Sequence, residues 1–195
     1  MGEILLRVIR KAVLEVTTDD IRKVVGTLQL CVGQISGCKA EIHAMRNLWT
    51  ESNTGAILLV DASNAFNSLS REAAMRNAKI LCPSLARILI NTYRDDSPLF
   101  IDHEVIYSQE GTTQGNPLAM DMYAISTLPL IHKLPNCVQH IWFADDPSTG
   151  GQLDHLRTWW DSIQEMGLEF GYLCNAGKEL TDCQRRGPPS SREYV

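Results

Sequence analysis

The sequence predicts an α+β fold in which helices pack on a small and mainly antiparallel sheet. Two short apolar runs, residues 55–60 and 138–144, are typical of buried strands, and each leads directly into aspartate. Segments with a helical spacing of apolar residues surround these runs. They do not alternate strictly with the strands, which disfavours a purely parallel sheet.

In the first quarter of the chain the pattern predicts three helices. Apolar residues recur at helical spacing over residues 4–16. Thr18, followed by two aspartates, predicts the cap of a second, short helix that ends at Gly26. Ser36 is the expected cap of a third helix over residues 37–51.

After the first strand, Ser68 or Ser70 is expected to cap a helix through Cys82, and Pro83 fits the first turn of the next helix. The later predicted elements are two short strands within 98–108, a polar loop over 111–116, an apolar helix from 117 to 134, the strand at 138–144, a break at 150–151, an amphipathic helix over 153–166 and a short strand over 168–173.

The composition is that of one globular domain, with 195 residues of which 44% are hydrophobic and 21% charged. The formal net charge of −5 counts against tight nucleic-acid binding by this chain alone. The six cysteines form no Cys-x-x-Cys pair, so reduced thiols are expected rather than a zinc site. No apolar run suits a signal peptide or a membrane span, so we expect an intracellular protein of the nucleus or cytoplasm.

Two acidic segments suggest a metal site. Asp61 follows the first apolar run, and Asp145-Asp146 follow the second. Adjacent carboxylates at the end of an apolar strand are costly without a cation, and their oxygens are ligands that Mg²⁺ prefers. Ordinary solvated turns are the plainer interpretation of each segment taken alone.

Two further segments suit phosphate chemistry. Residues 109–120 form a polar, glycine-containing loop that leads into a helix N-terminus, where backbone N–H groups favour anions. Residues 165–178 end in Lys178, a side chain suited to meet a phosphate or donate a proton. A plain loop and a surface lysine are the alternatives.

Taken in order, these four segments resemble the palm domain of reverse transcriptases, most closely that of non-LTR retrotransposons. The matching motifs are Val-Asp-Ala-Ser-Asn-Ala-Phe-Asn from position 60, Gln-Gly-Asn-Pro-Leu from 114, Phe-Ala-Asp-Asp from 143 and Gly-Tyr-x-x-Asn-x-x-Lys from 171. Residues 29–45 resemble the same group. The resemblance implies a palm-like domain over 1–180, with a remnant of the fingers connection at 1–50, and a disordered tail over 181–195.

The activity that this resemblance implies is RNA-directed DNA synthesis with two Mg²⁺ or Mn²⁺ ions. RNA template, DNA primer and dNTPs are the implied partners, with no membrane, and Phe66 is implied to crowd the 2′-OH of the incoming nucleotide. The implied metal ligands are Asp61, Asp145 and Asp146, the implied catalytic lysine is Lys178, and the implied nucleotide-binding residues are Ala62, Phe66, Gln114 and Gly115.

The chain also departs from the family pattern. Pro147 follows the aspartate pair where a small residue is usual, and it is expected to distort the returning strand. The fingers and thumb would lie before residue 1 and after Lys178, so we expect this chain to bind primer–template weakly and to extend it barely or not at all. A catalytically inactive palm relic or adaptor is the alternative function. A two-metal phosphohydrolase is a weaker one, because it gives the Gln-Gly loop no role.

Overall fold

The computed structural model describes residues 2–113, 115–175 and 180–183. Its helices are α1 (Gly2–Val25), α2 (Gly37–Thr50), α3 (Ala65–Ser68), α4 (Arg71–Leu81), α5 (Pro83–Tyr93), α6 (Ala119–Lys133) and α7 (Leu153–Gly167), with a 3₁₀ turn at Leu168–Phe170. Its strands are β1 (Ala56–Leu59), β2 (Ser97–Ile101), β3 (Glu104–Ser108), β4 (Gln139–Phe143), β5 (Asp146–Gly151) and β6 (Leu180–Cys183). This mixture of helices and small antiparallel sheets confirms the predicted α+β class.

The main sheet has the order β4-β5-β1-β6, and each neighbouring pair is antiparallel. Strands β2 and β3 form a separate hairpin. Leu59 of β1 pairs with Ser148 of β5, and the N–H of Val60 then donates to the carbonyl of Pro147 at 3.1 Å. The end of β1 is therefore fixed beside the start of β5.

Helix α6 forms the base of the core, because it is apolar on nearly every face and almost entirely buried. Its residues Met122, Ala124 and Ile125 are fully buried, and α4, α1 and α7 all contact it. On the sheet side, Trp142 of β4 and Trp159 of α7 have no exposed surface. The sheet is thus tied to the helices by large aromatic side chains. Within the described residues, no helix has both the length and the apolar character needed to cross a bilayer.

The predicted division of the first helix is wrong. Helix α1 runs without interruption from residue 2 to residue 25. The hydroxyl of Thr17 donates to the carbonyl of Val13 and that of Thr18 to the carbonyl of Leu14, so both threonines bond back into the same helix. A threonine that bonds four residues back does not cap a new helix.

Three predictions around the aspartate pair are also corrected. Residues 150–151 lie inside β5 instead of breaking the chain, and residues 168–170 form a 3₁₀ turn instead of a strand. A Cβ on Gly150 would lie 2.6 Å from side-chain atoms of both Ile57 and Leu48, so close packing explains this glycine. Pro147 pairs with Trp142 in a regular ladder. Strand β1 ends at Leu59, so no residue of β1 requires the N–H that Pro147 lacks. The proline therefore does not distort β5.

Strand β6 pairs with β1 through Cys183, so regular structure continues past the predicted domain boundary at residue 180. Residues 184–195, which hold most of the predicted disordered tail, lie outside the described residues.

Candidate active site

The end of β1 delivers Asp61 to a partly buried position. The side-chain amide of Asn175 donates to the Asp61 carboxylate at 3.1 Å, and the backbone N–H of Asn175 donates to the Asp61 carbonyl at 2.8 Å. Ser63 completes this pairing, because its N–H donates to the carbonyl of Leu173 at 2.7 Å. The segment 173–175 therefore fixes the orientation of Asp61. The sequence motif contained Asn175, but no role was predicted for it.

The turn between β4 and β5 delivers Asp145. Because Phe143 pairs with Asp146, only Ala144 and Asp145 remain in the turn. The carbonyl of Asp145 accepts a hydrogen bond of 2.8 Å from the hydroxyl of Tyr172, which is almost fully buried. Burial raises the pKa of the Asp145 carboxyl, and the negative charge of Asp61 raises it further. This charge effect and the pairing of the end of β1 with the start of β5 place the two carboxylates in the same region of the sheet.

The predicted third ligand, Asp146, is the first residue of β5, and its side chain is exposed. Asp145 is in the turn and partly buried, whereas Asp146 is in β5 and exposed, so the two carboxylates are not equivalent. Within the described residues, no three His, Cys, Asp or Glu side chains are grouped to hold one ion. Burial raises the pKa of Tyr123, and the charges of Asp145 and Asp146 both raise it further, so Asp146 lies in the same region as Asp145 although its side chain is exposed.

The pair formed by Asp61 and Asp145 fits a hard divalent cation. Both side chains offer carboxylate oxygens, which are the ligands that Mg²⁺ and Mn²⁺ prefer. Burial is the main cause of the raised pKa of Asp145 and the charge of Asp61 adds to it, and a bound cation would offset both effects.

Phe66 lies five residues after Asp61 in the chain, on the short helix α3. Its ring is partly buried, and the ring centroid is 4.6 Å from that of Tyr123 on α6. Ala62, between Asp61 and Phe66 in sequence, is buried and forms a β-bridge with Cys174. Both predicted nucleotide-binding residues of this segment are therefore held against the core next to Asp61.

The loop over residues 109–116 is attached to the core by Arg71. The Arg71 guanidinium donates to the carbonyls of Gly111 at 2.9 Å and Ser108 at 2.5 Å, and it lies over the ring of Tyr93 with its central carbon 5.1 Å from the ring centroid. Burial lowers the pKa of Arg71. The hydroxyl of Tyr93 then accepts from the N–H of Thr113 and from the side-chain amide of Asn116.

The two glycines of this loop differ in their surroundings. Both have positive φ, +71° for Gly111 and +74° for Gly115. A Cβ on Gly111 would collide with the backbone of Asn67, whereas a Cβ on Gly115 would meet only the Arg7 guanidinium, at 3.7 Å. Gly111 thus allows close packing, whereas at Gly115 there is room for a Cβ in ordinary contact with Arg7. The predicted residues Gln114 and Lys178 lie outside the described residues.

An open cleft of about 740 Å³ adjoins the loop. Arg7 and Arg10 of α1 line one side of it, and Thr113 and Gly115 line the other. Among the described residues neither of these arginines forms an ion pair, and the buried Nε of Arg10 has no hydrogen-bond partner. Arg7 and Arg10 therefore bring to the cleft two positive charges that form no ion pair with a carboxylate in the described part of the chain.

Two residues near the turn were not predicted as functional. Gln29 is fully buried, and its side-chain amide makes two hydrogen bonds to the backbone of Ala144. Asp121 is a buried carboxyl on α6, and burial raises its pKa to about 6. Its charge and that of Asp145 both act on Cys31, although burial is the main cause that raises the Cys31 pKa to about 12. No spacing rule in the sequence marks either residue, because their partners are distant along the chain.

Solved structures share this fold. The chain superposes on telomerase from Candida tropicalis, truncated from its C-terminal domain, with a TM-score of 0.67 and 14% identity over 95% of this chain and 42% of the other. Telomerase from Candida albicans, in complex with a TWJ fragment of telomeric RNA, gives a TM-score of 0.60 and 12% identity over 95% of this chain and 35% of the other. The chain spans less than half of these proteins.

At this identity the likeness establishes a fold of the reverse-transcriptase type, as the sequence motifs predicted, and not the type of element. No family model and no curated protein matches the sequence.

The surroundings of the two loop glycines lead to contrasting predictions. We expect Gly111→Ala to lower the free energy of unfolding by about 2–4 kcal/mol, because backbone strain adds to a collision with Asn67. Gly115→Ala, as the matched variant, should lower it by only about 1 kcal/mol, the cost of positive φ alone. Urea unfolding measures both, and equal losses would contradict the assigned packing role of Gly111.

Asp121 leads to a prediction about pH. Because its folded-state pKa is raised to about 6, the protonated form stabilises the fold; this contribution is complete below about pH 4 and is lost as the pH rises to about 6. At pH 7, Asp121→Asn should raise the free energy of unfolding by on the order of 2 kcal/mol and remove this slope. Urea unfolding between pH 4 and 7 tests it, with the exposed Asp102→Asn as control. An unchanged slope in Asp121→Asn would refute the assignment.

Proposed function

We propose that this chain is the palm of an RNA-directed DNA polymerase of the non-LTR retrotransposon type, and that its reaction is template-directed nucleotidyl transfer. The observation that carries the proposal is the pair of partly buried carboxylates, Asp61 and Asp145, held at adjacent strand ends in a fold of the reverse-transcriptase type. Their surroundings also suit a polymerase, because the glycine-containing loop is joined to the partly buried Phe66 by the hydrogen bond of 2.7 Å from the N–H of Thr112 to the carbonyl of Phe66.

In this proposal Asp61 and Asp145 hold two Mg²⁺ or Mn²⁺ ions, with Asp146 as the third ligand. Such ions activate the primer 3′-OH and stabilise the leaving oxygen of an in-line displacement. Asn175 keeps the Asp61 carboxylate oriented by its hydrogen bond of 3.1 Å. The predicted task of Lys178 is to meet the triphosphate of the incoming nucleotide. Little covalent work is required of the protein, since positioning dominates the reaction.

In this proposal the side chain of Phe66 forms one wall of the nucleotide pocket. The Phe66 ring rests on Tyr123, and Tyr123 is buried in α6, so the ring cannot retreat without disturbing the core. A ring held in this way would distinguish deoxyribonucleotides from ribonucleotides, because it would collide with the 2′-OH of a ribonucleotide. Ala62, Gln114 and Gly115 are the other proposed contacts of the nucleotide.

The proposed partners are an RNA template and a DNA primer. Arg7 and Arg10 support this part, because they face a cleft that adjoins the Gly115 loop and lack ion-pair partners among the described residues. The net charge of −5 nevertheless predicts weak binding by this chain. The same charge favours the second candidate, a palm-fold adaptor that performs no synthesis. Clear primer extension by this chain with Mn²⁺ would exclude the adaptor. Because weak extension is also expected of a palm without fingers and thumb, Asp145-dependent metal binding is the test when no extension is seen.

The metal site leads to a prediction for thermal stability. Mg²⁺ or Mn²⁺ should raise the Tm of the chain, because a cation that binds only the folded state stabilises it and relieves repulsion between the carboxylates. Asp145→Asn should reduce this increase strongly, since it removes one ligand charge. Differential scanning fluorimetry over a titration of each metal measures the effect.

The matched control for this experiment is Asp102→Asn, in the exposed turn between β2 and β3. Asn tolerates the left-handed conformation of that position, φ 54°, so the control loses one charge without added strain. It should respond to metal as the unmodified chain does. If Asp145→Asn also responds like the unmodified chain, Asp145 is not a ligand.

The cleft leads to a prediction for nucleic-acid binding. Arg7→Gln should weaken binding of an RNA–DNA primer–template at low salt and reduce the slope of log K against log salt by about 1, as expected when one phosphate contact is lost. Arg87→Gln, an equal charge change on the exposed side of α5, should leave the slope unchanged. Fluorescence anisotropy across a salt series measures both. Identical slopes for the two variants would exclude Arg7 as a phosphate contact.

A further inference from the structure

The side chain of Gln29 brackets the backbone of Ala144 with two hydrogen bonds. Its Nε2 donates to the Ala144 carbonyl at 2.9 Å, and its Oε1 accepts from the Ala144 N–H at 2.8 Å. The two residues are 115 positions apart in the chain, and Gln29 has no exposed surface. A contact of this kind fixes both polar groups of one backbone residue at once.

Ala144 is in a conformation that its own side chain disfavours. Its φ is +57°, in the left-handed region, where a Cβ is crowded and glycine is usual. Such strained residues persist only where their surroundings hold them. Ala144 directly precedes Asp145 in a two-residue turn, so its backbone angles decide where the Asp145 carboxylate is presented.

Gln29 is itself held firmly enough to act as a brace. On either side of it, the N–H of Leu30 donates to the carbonyl of Trp142, and the N–H of Trp142 donates to the carbonyl of Leu28, both at 2.8 Å. Gln29 forms a parallel bridge with Trp142, which has no exposed surface. The backbone that carries the Gln29 amide is therefore fixed relative to β4.

The chemistry of the contact requires an amide. Gln offers a donor and an acceptor in one planar group of the right reach, whereas an ionised carboxylate offers acceptors only and a thioether neither a donor nor a good acceptor. Gln29→Met keeps the length of the side chain but would leave the buried N–H and carbonyl of Ala144 without these partners.

We propose that Gln29 is a positioning residue of the metal site: by clamping Ala144 in the left-handed conformation, it presents Asp145 to the divalent cation. This inference rests on the proposed function, because it needs Asp145 to be a metal ligand. It goes beyond that function by assigning the strength of metal binding to a residue that contacts neither metal nor substrate.

The first test is Mn²⁺ binding to the full 195-residue chain, followed by electron paramagnetic resonance, for the unmodified chain, Gln29→Met and the matched control Gln34→Met. Gln34 lies in the same segment, and its side-chain amide also donates to a backbone carbonyl, that of Gly26 at 3.0 Å, but it does not bracket the turn. We expect Gln29→Met to weaken Mn²⁺ binding by about tenfold or more, as for other residues that orient metal ligands, and Gln34→Met to change it less than about twofold.

The second test separates positioning from a general loss of stability. Glycine adopts positive φ without steric cost, so Ala144→Gly should need the brace less. We expect Ala144→Gly alone to leave Mn²⁺ affinity nearly unchanged and, combined with Gln29→Met, to restore a large part of the lost affinity. A residue that only filled the core would show no such rescue, because the turn would not be what failed.

The outcomes distinguish the two proposals. If the unmodified chain shows no Mn²⁺ binding that depends on Asp145, the proposed function fails and this inference fails with it. If binding depends on Asp145 but Gln29→Met binds as tightly as Gln34→Met, the inference alone is overturned. Should Gln29→Met not fold, as judged by circular dichroism, the double variant with Ala144→Gly is measured instead, and weak binding in a folded double variant counts against the inference.

Discussion

The pairing register of β1 with β5 is the constraint on which the site depends. The hydrogen bond from Val60 to Pro147 places the residue after β1 next to the residues that begin β5. A slip of one residue would move the Asp61 side chain to the opposite face of the sheet and separate it from Asp145. The register is held by burial, since Ile57 and Leu48 pack against Gly150 with no room for a Cβ.

Several groups that lower the stability of the fold lie near the turn between β4 and β5, which this register positions. Asp145 is a partly buried carboxylate next to another, Ala144 has positive φ, and Asp121 is a buried carboxyl. The hydroxyl of Tyr123 is buried without a hydrogen-bond partner among the described residues, and its pKa is raised well above the usual value, first by burial and then by the charges of Asp145 and Asp146. Buried charges, unpaired buried polar groups and residues with positive φ occur together mainly at functional sites. Their occurrence together here supports a functional site, and Asp121 and Tyr123 lie outside the sequence motifs.

What could be predicted from sequence were the features that short-range patterns encode. The apolar runs that end on Asp61 and Asp145, the Ser70 cap of α4 and Pro83 at the start of α5 are all visible in a few consecutive residues, and the structure contains each of them. The predictions failed where packing overrides local preference. The glycine at position 150 predicts an interruption of regular structure. It lies within β5 instead, because neighbouring side chains leave no space for a larger residue.

The remaining parts of the site depend on contacts between residues that are far apart in the sequence, and these cannot be inferred from local patterns. Gln29 and Ala144 are 115 positions apart, and their relation follows only from the bridge between Gln29 and Trp142. Asp121 lies in an apolar helix whose period gives no reason to expect a buried acid. A polar residue buried by tertiary packing leaves no periodic signal, so the sequence suggests Asp61 and Asp145 as candidate ligands but gives no indication of the residues that support them.

The likeness to telomerase and the architecture of the turn bear on function in different ways. A shared fold at 12–14% identity does not establish which reaction a protein catalyses, because one fold can have many functions. The strained turn bears on function more directly, because a partly buried carboxylate next to a residue with positive φ lowers stability and is compatible with the proposed metal site. A chain kept only for its shape would be more stable with glycine at position 144 and an uncharged residue at position 121. The presence of Ala144, its brace Gln29 and the carboxylates beside them therefore favours a chain built to bind a cation over an adaptor that merely keeps the palm fold.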